Sequence, residues 1–110
     1  MTRKIPCVVN MDRSEAIEKV RAYKHLLEGH LPLENVYLYG AYATNTQKED
    51  SNIDVAVVVR RIEGDYFSVS PLIWRLRRQI DNRIEPILIE REFDDDVFLG
   101  EVIKYGIEIA

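Results

Sequence analysis

One acid interrupts the most apolar run of the chain. Ile53-Asp54-Val55-Ala56-Val57-Val58-Val59 is otherwise continuous aliphatic residue, most of it β-branched. An isolated carboxylate is costly to bury, so Asp54 is expected to face a cleft or a cation. Side chains at i and i+2 of a strand share a face, which sets Asn52 beside Asp54. Glu85 lies in another short β-rich run, from which it can converge on them. Three oxygen-bearing side chains from two strands suit a hard cation such as Mg²⁺, with phosphate as co-ligand. Upstream, Leu38-Tyr39-Gly40-Ala41 carries a strand into a turn of small residues. Such a turn lets backbone amides approach a phosphate closely. Taken singly, each feature also fits an edge acid or an ordinary turn.

These residues need a scaffold, and the hydrophobic pattern supplies one. Asp12, with Glu15 three residues on, is a capping pattern. Ala16, Ile17, Val20, Tyr23, Leu26 and Leu27 then recur at helical spacing, so a helix is expected from Asp12 to about Gly29, ended before Pro32. Val36 to Tyr39 reads as a short strand. The polar stretch Thr44 to Asn52 has no periodicity, and Ile53 to Val59 reads as a strand covered on both faces. A second helix is expected over Phe67 to Asp81, with Val69, Leu72, Ile73, Leu76 and Ile80 inward and Pro71 confined to the first turn. Ile84 to Ile89 is a third strand whose Pro86 makes it an edge or bends it. Asp94 to Asp96 caps a last helix, Val97 to Tyr105, and Ile107-Glu108-Ile109 adds a terminal strand. Residues 1–11 read as an arm or a short strand. The expected fold class is α/β (α+β): a small mixed sheet with helices packed on it.

The 110 residues carry 15 basic and 19 acidic side chains, a formal charge of −4, which makes nucleic acid an unlikely partner. Arg75, Arg77 and Arg78 form a short basic cluster that reads first as a solvated helix face. The one cysteine, Cys7, has no partner for an internal disulfide and reads as structural. No apolar run approaches the roughly 20 residues that span a bilayer, and the N-terminus has no signal-peptide core. A single soluble, cytoplasmic domain over residues 1–110 is expected.

The spacing of the candidate residues is specific. Gly40-Ala41, ten residues, then Asn52-Ile53-Asp54 resembles the Gly-Ser, spacer, Asp-x-Asp signature of the DNA polymerase β-like nucleotidyltransferase superfamily. Tyr39-Gly40-Ala41-Tyr42-Ala43 looks like that family's Gly-Ser-Tyr-Ala, and Asp50 to Val58 like its Ser-Asp-Ile-Asp-Val-Ala-Val. Arg83-Ile84-Glu85-Pro86 is similar to the segment bringing the third carboxylate in the minimal nucleotidyltransferases, and Gly106-Ile107-Glu108-Ile109 to their usual ending. The resemblance covers about residues 12–110 and points to the minimal nucleotidyltransferase (MNT) domains.

The resemblance implies a polymerase β-like fold and transfer of a nucleotidyl group, AMP by preference, from a nucleoside triphosphate to a hydroxyl. Mg²⁺ or Mn²⁺ and ATP are the implied cofactors. Gly40 and Ala41 would meet the phosphates, and Asp54, Glu85 and Asn52 would be metal ligands and catalytic groups. The implied partner is a helical HEPN-type protein, as in toxin–antitoxin pairs, and self-association is a further option. The chain departs from the pattern where it matters. Ala41 replaces the motif Ser, Asn52 replaces the first motif Asp, and Thr44-Asn45 replaces a basic-Gly pair. An amide oxygen can ligate Mg²⁺ but brings no charge, so metal binding and activity are expected to be weakened. The alternative is an inactive relative that acts as a partner-binding, antitoxin-like module.

Overall fold

The computed structural model describes residues 11–93 and 97–110. Residues 1–10 of the expected arm, Cys7 among them, and the cap at Asp94 to Asp96 lie outside the described residues; Met11 is buried in the core. Asp12 starts helix α1 (Arg13–Glu28) as its pattern foretold: its carboxylate accepts the Glu15 amide at 2.8 Å. Ala16, Val20, Tyr23 and Leu27 are buried along one stripe. The helix closes at Gly29, and strand β1 (Leu33–Tyr39) follows Pro32 directly.

The chain continues through a short helix α2 (Ala41–Thr44), strand β2 (Ile53–Val59), helix α3 (Tyr66–Leu76), strand β3 (Ile84–Glu90), helix α4 (Val97–Tyr105) and strand β4 (Ile107–Glu108). The sheet order is β3-β2-β1-β4, with β2 and β3 parallel and the other pairs antiparallel. The mixed sheet and its helices are those expected. Pro86 sits on the edge strand β3, where its missing N–H costs no central ladder bond. One face carries Val36, Leu38, Val55, Val57 and Ile84 against α1 and α3; the other carries Tyr37, Ala56, Val58 and Ile89 against Leu99 and Val102 of α4. Cover on both faces explains why β2 is nearly all aliphatic.

Three expectations need correction. The second helix ends at Leu76 and passes into a 3-10 turn, Arg77–Gln79, instead of running to Asp81. Pro71 lies in its second turn, not its first. Pro71 is exposed, and the helix bond it cannot make is the one to the Phe67 carbonyl. Arg77 is not a solvated arginine: its guanidinium donates to the Asn82 and Ile84 carbonyls and lies 4.8 Å from the Trp74 ring centroid, pinning the helix end to β3. Arg75 and Arg78 are exposed as expected.

Candidate active site

Strand register brings the candidate residues together. Tyr39 of β1 pairs with Asp54 of β2, and Asp54 pairs with Glu85 of β3. Side-by-side partners in a sheet point to one face. The row Tyr39, Asp54, Glu85 therefore crosses three strands on the face that α4 partly covers. Asn52 stands two residues before Asp54 on the same side, and its amide nitrogen donates to a Glu85 carboxylate oxygen at 2.8 Å. The expected convergence of Asn52, Asp54 and Glu85 is present in the structure.

Gly40 closes the site from β1. The strand stops there, and the backbone turns through φ +73°, ψ −149° into α2. A Cβ at this position would sit 2.3 Å from Asp54 Oδ2, so only glycine lets the turn lie directly on the carboxylate. The Gly40 carbonyl accepts the amides of Ala43 and Thr44 at 3.1 and 3.2 Å. That leaves the amides of Ala41 and Tyr42 as the unspent N–H groups at the start of the short helix, among the described residues. The turn is anchored from behind. Tyr42 and Ala43 are buried in the α1 core, and Arg13 donates to the Ala43 carbonyl at 3.1 Å. Asn45 ends the helix at φ +60°, a left-handed conformation that Asn tolerates better than most residues.

Electrostatics mark the row as strained in charge. Burial, and then the neighbouring Glu85 carboxylate, push the Asp54 carboxyl above its ordinary range. Burial, followed by Asp54 and Glu85, likewise raises the Tyr39 phenol. A cation between the two acids would relieve this repulsion. The donor set is two carboxylates and one amide oxygen, all hard, which fits one divalent cation completed by water and phosphate. Among the described residues no three His, Cys, Asp or Glu side chains form a metal cage, because Asn52 occupies the third place.

Sequence reasoning missed two parts of this site. Tyr39 was read only as strand, although alternation places it on the face of Asp54 once register is known. The short helix α2 was read as turn and polar loop, since four residues carry no period.

A mixed sheet that presents a glycine turn and a row of acids at one end defines a nucleotidyltransferase domain. The chain belongs to the polymerase beta nucleotidyltransferase family, whose model matches residues 22–110. A relative from Methanocaldococcus jannaschii, provisionally named protein adenylyltransferase MJ0141, is 27% identical over 99 residues, covering 86% of this chain and 99% of that protein. The fold is similar to the crystal structure of a provisionally described nucleotidyltransferase from Sulfolobus solfataricus, with TM-score 0.64, 20% identity and coverage of 87% of this chain and 80% of that one. It is also similar to a toxin–antitoxin crystallised with AMP-PNP, with TM-score 0.62, 23% identity and coverage of 84% and 72%. Among the described residues no helix is long and apolar enough to cross a membrane.

Proposed function

We propose that this chain binds ATP and transfers AMP slowly to a hydroxyl of a helical, HEPN-type partner protein, as the antitoxin of a toxin–antitoxin pair. The observation that carries the reading is the convergence of Asn52, Asp54 and Glu85 beneath the Gly40 turn. The adenylyltransferase name of the archaeal relative supports AMP and a protein acceptor. The toxin–antitoxin likeness supports the partner and the nucleotide.

In this reading the triphosphate docks at the turn from Gly40 to Tyr42. Asp54 and Glu85, with the Asn52 amide oxygen, would hold Mg²⁺ or Mn²⁺. When bound, such an ion neutralises phosphate charge and lowers the pKa of an attacking hydroxyl. The acceptor hydroxyl gives up its proton to water as its oxygen attacks the α-phosphorus, and the bond between the α-phosphorus and the bridging oxygen breaks to release pyrophosphate. Asp54 and Glu85 fix the direction of approach, and the Gly40 turn holds the leaving group. Ala41 contributes no hydroxyl to the phosphates, and Asn52 contributes no charge. Loss of one preorganised electrostatic group costs roughly 10²–10³ in rate, which makes the transfer slow.

A second reading follows from the Asn52–Glu85 hydrogen bond. It occupies one carboxylate oxygen with an amide donor, as suits a domain that binds its partner without transfer. Labelling with α-³²P-ATP, Mg²⁺ and the candidate partner separates the two, with Asp54→Ala as the blank. The proposal expects slow, Asp54-dependent label that Asn52→Asp accelerates. Partner binding with no label in either form, unchanged in Asp54→Ala, would establish the binding module instead.

A further inference from the structure

Beside the Gly40 turn lies an open cleft of about 300 Å³ that the phosphate chemistry leaves unused. One wall is Tyr39, Gly40 and Thr44; the other is α4, through Phe98, Glu101 and Tyr105. Those three helix positions are separated by three and four residues, so they form one stripe with an aromatic ring at each end and a carboxylate between. Tyr39 and Phe98 meet edge to face, with ring centroids 5.5 Å apart. Phe98 and Tyr105 are 39% and 57% exposed, so both rings offer free aromatic surface to the cleft they line. The Lys104 ammonium lies 5.2 Å from the Tyr105 ring centroid and steadies that ring.

Gly40 belongs both to the turn and to the cleft, so the cleft opens directly beside the place where the triphosphate is read to sit. We propose that this cleft seats the nucleoside, the base on the aromatic rings of Phe98 and Tyr105 and the ribose hydroxyls donating to Glu101. The inference rests on the triphosphate reading above and adds the part of the ligand that α4 recognises. An ionised carboxylate is an acceptor only, so Glu101 takes O–H or N–H donors and repels phosphate. A ribose presents two adjacent hydroxyl donors of that kind. Aromatic rings supply stacking that every base accepts. The cleft therefore distinguishes a ribonucleotide from its 2′-deoxy form, and a nucleotide from bare phosphates.

The test is calorimetric titration of the full chain in Mg²⁺ with ATP, 2′-deoxy-ATP and inorganic tripolyphosphate. Tyr105→Ala and Glu101→Ala alter exposed side chains and are checked for native melting. Tyr105→Ala is expected to weaken ATP roughly tenfold, the loss typical of one stacking partner, and to leave tripolyphosphate unchanged. Glu101→Ala is expected to abolish a preference for ATP over 2′-deoxy-ATP that the natural chain shows. Equal affinity for ATP and tripolyphosphate, untouched by either substitution, overturns the nucleoside cleft while the triphosphate reading stands. Failure of both probes to bind overturns both.

Discussion

Replacing Gly40 by alanine tests the centre of the site, because two separate penalties are legible at that residue. The first is backbone strain. At φ +73°, ψ −149° the residue lies in a region that is essentially glycine-only, and holding an L-residue there costs about 1–3 kcal/mol. The second is steric. The new Cβ would meet Asp54 Oδ2 at 2.3 Å and Cγ at 3.2 Å, so the carboxylate must swing aside. A side-chain end moves more cheaply than backbone, so this second penalty falls chiefly on the site and less on global stability. Gly40→Ala is therefore expected to lose about 1–3 kcal/mol in urea unfolding and to weaken Mn²⁺ binding by roughly tenfold or more. The Asp54→Ala background separates the two. It removes Oδ2 and Cγ and leaves only the Cβ contact at 3.3 Å, so the strain persists while most of the clash is relieved, and the double-mutant cycle is expected to show a coupling of about 0.5–1 kcal/mol. Wild-type stability together with wild-type Mn²⁺ affinity in Gly40→Ala would refute the reasoning, for neither the backbone conformation nor the contact with Asp54 would then matter.

Four further outcomes are expected. Asn52→Asp trades the donor to Glu85 for a third acid; calorimetry should show Mn²⁺ binding roughly tenfold tighter, and equal affinity in both forms would exclude position 52 as a ligand. Asp54→Asn should raise stability at neutral pH: the folded pKa lies above the unfolded one, so the acid's stabilising share is present below the usual carboxylate range and lost as pH rises through the raised value, and an unchanged or lower melting temperature at pH 7 would contradict this. Asp81 has the opposite sign. Hydrogen bonds from Arg83, with a further one from Lys19, hold its carboxyl down to about 2, so its contribution, about 1 kcal/mol once solvent screening is allowed for, is whole above the unfolded value and lost as pH falls toward 2. Unfolding of Asp81→Asn should differ from the natural chain at pH 7 and converge with it near that acid limit. Gly106→Ala forces a Cβ to 2.5 Å from the Val102 carbonyl oxygen and 2.9 Å from that of Leu38; overpacking against two backbone groups should cost about 1–3 kcal/mol by thermal unfolding.

Much of the scaffold was legible because its signals are local. The Asp12 cap, the α1 stripe and the aliphatic run of β2 each follow from residues within one element, and all three stand in the structure. Pro86 marked an edge or a bend, because a missing donor is not tolerated in a regular central strand, and the structure has the edge. What escaped depends on contacts between elements. Val36 to Tyr39 is extended backward to Leu33 only because Leu33 finds Val59 across the ladder. The end of α3 is set by Arg77 reaching over to the Asn82 and Ile84 carbonyls, which no period in the helix reveals. For the site, Asn52 and Asp54 were joined by strand alternation and Glu85 by family pattern. Their meeting depends on the parallel register of β2 and β3, a tertiary fact. The stripe of Phe98, Glu101 and Tyr105 was present as spacing, yet nothing in one helix says which wall faces it.

The substitution at position 52 alters the charge of the site without dismantling its geometry. In the pattern this chain resembles, three acids stand together and repel one another until a cation arrives. Here the third is an amide, and it donates to Glu85 across the 2.8 Å gap that two carboxylates would leave as repulsion. At rest Glu85 therefore has an amide donor, while burial and the neighbouring Glu85 raise the Asp54 carboxyl. On the proposed reading, that exchange stabilises the free domain and weakens the pull on a cation, the usual opposition between stability and activity at a preorganised site. The Gly40 turn, by contrast, is retained with its strained backbone and its close approach to Asp54. A surface with no remaining ligand has no need of that strain, since a relaxed turn would stabilise it. A glycine turn kept beside a softened acid row is what the proposed reading requires: a site shaped for a triphosphate, with a weaker hold on the cation that would speed transfer.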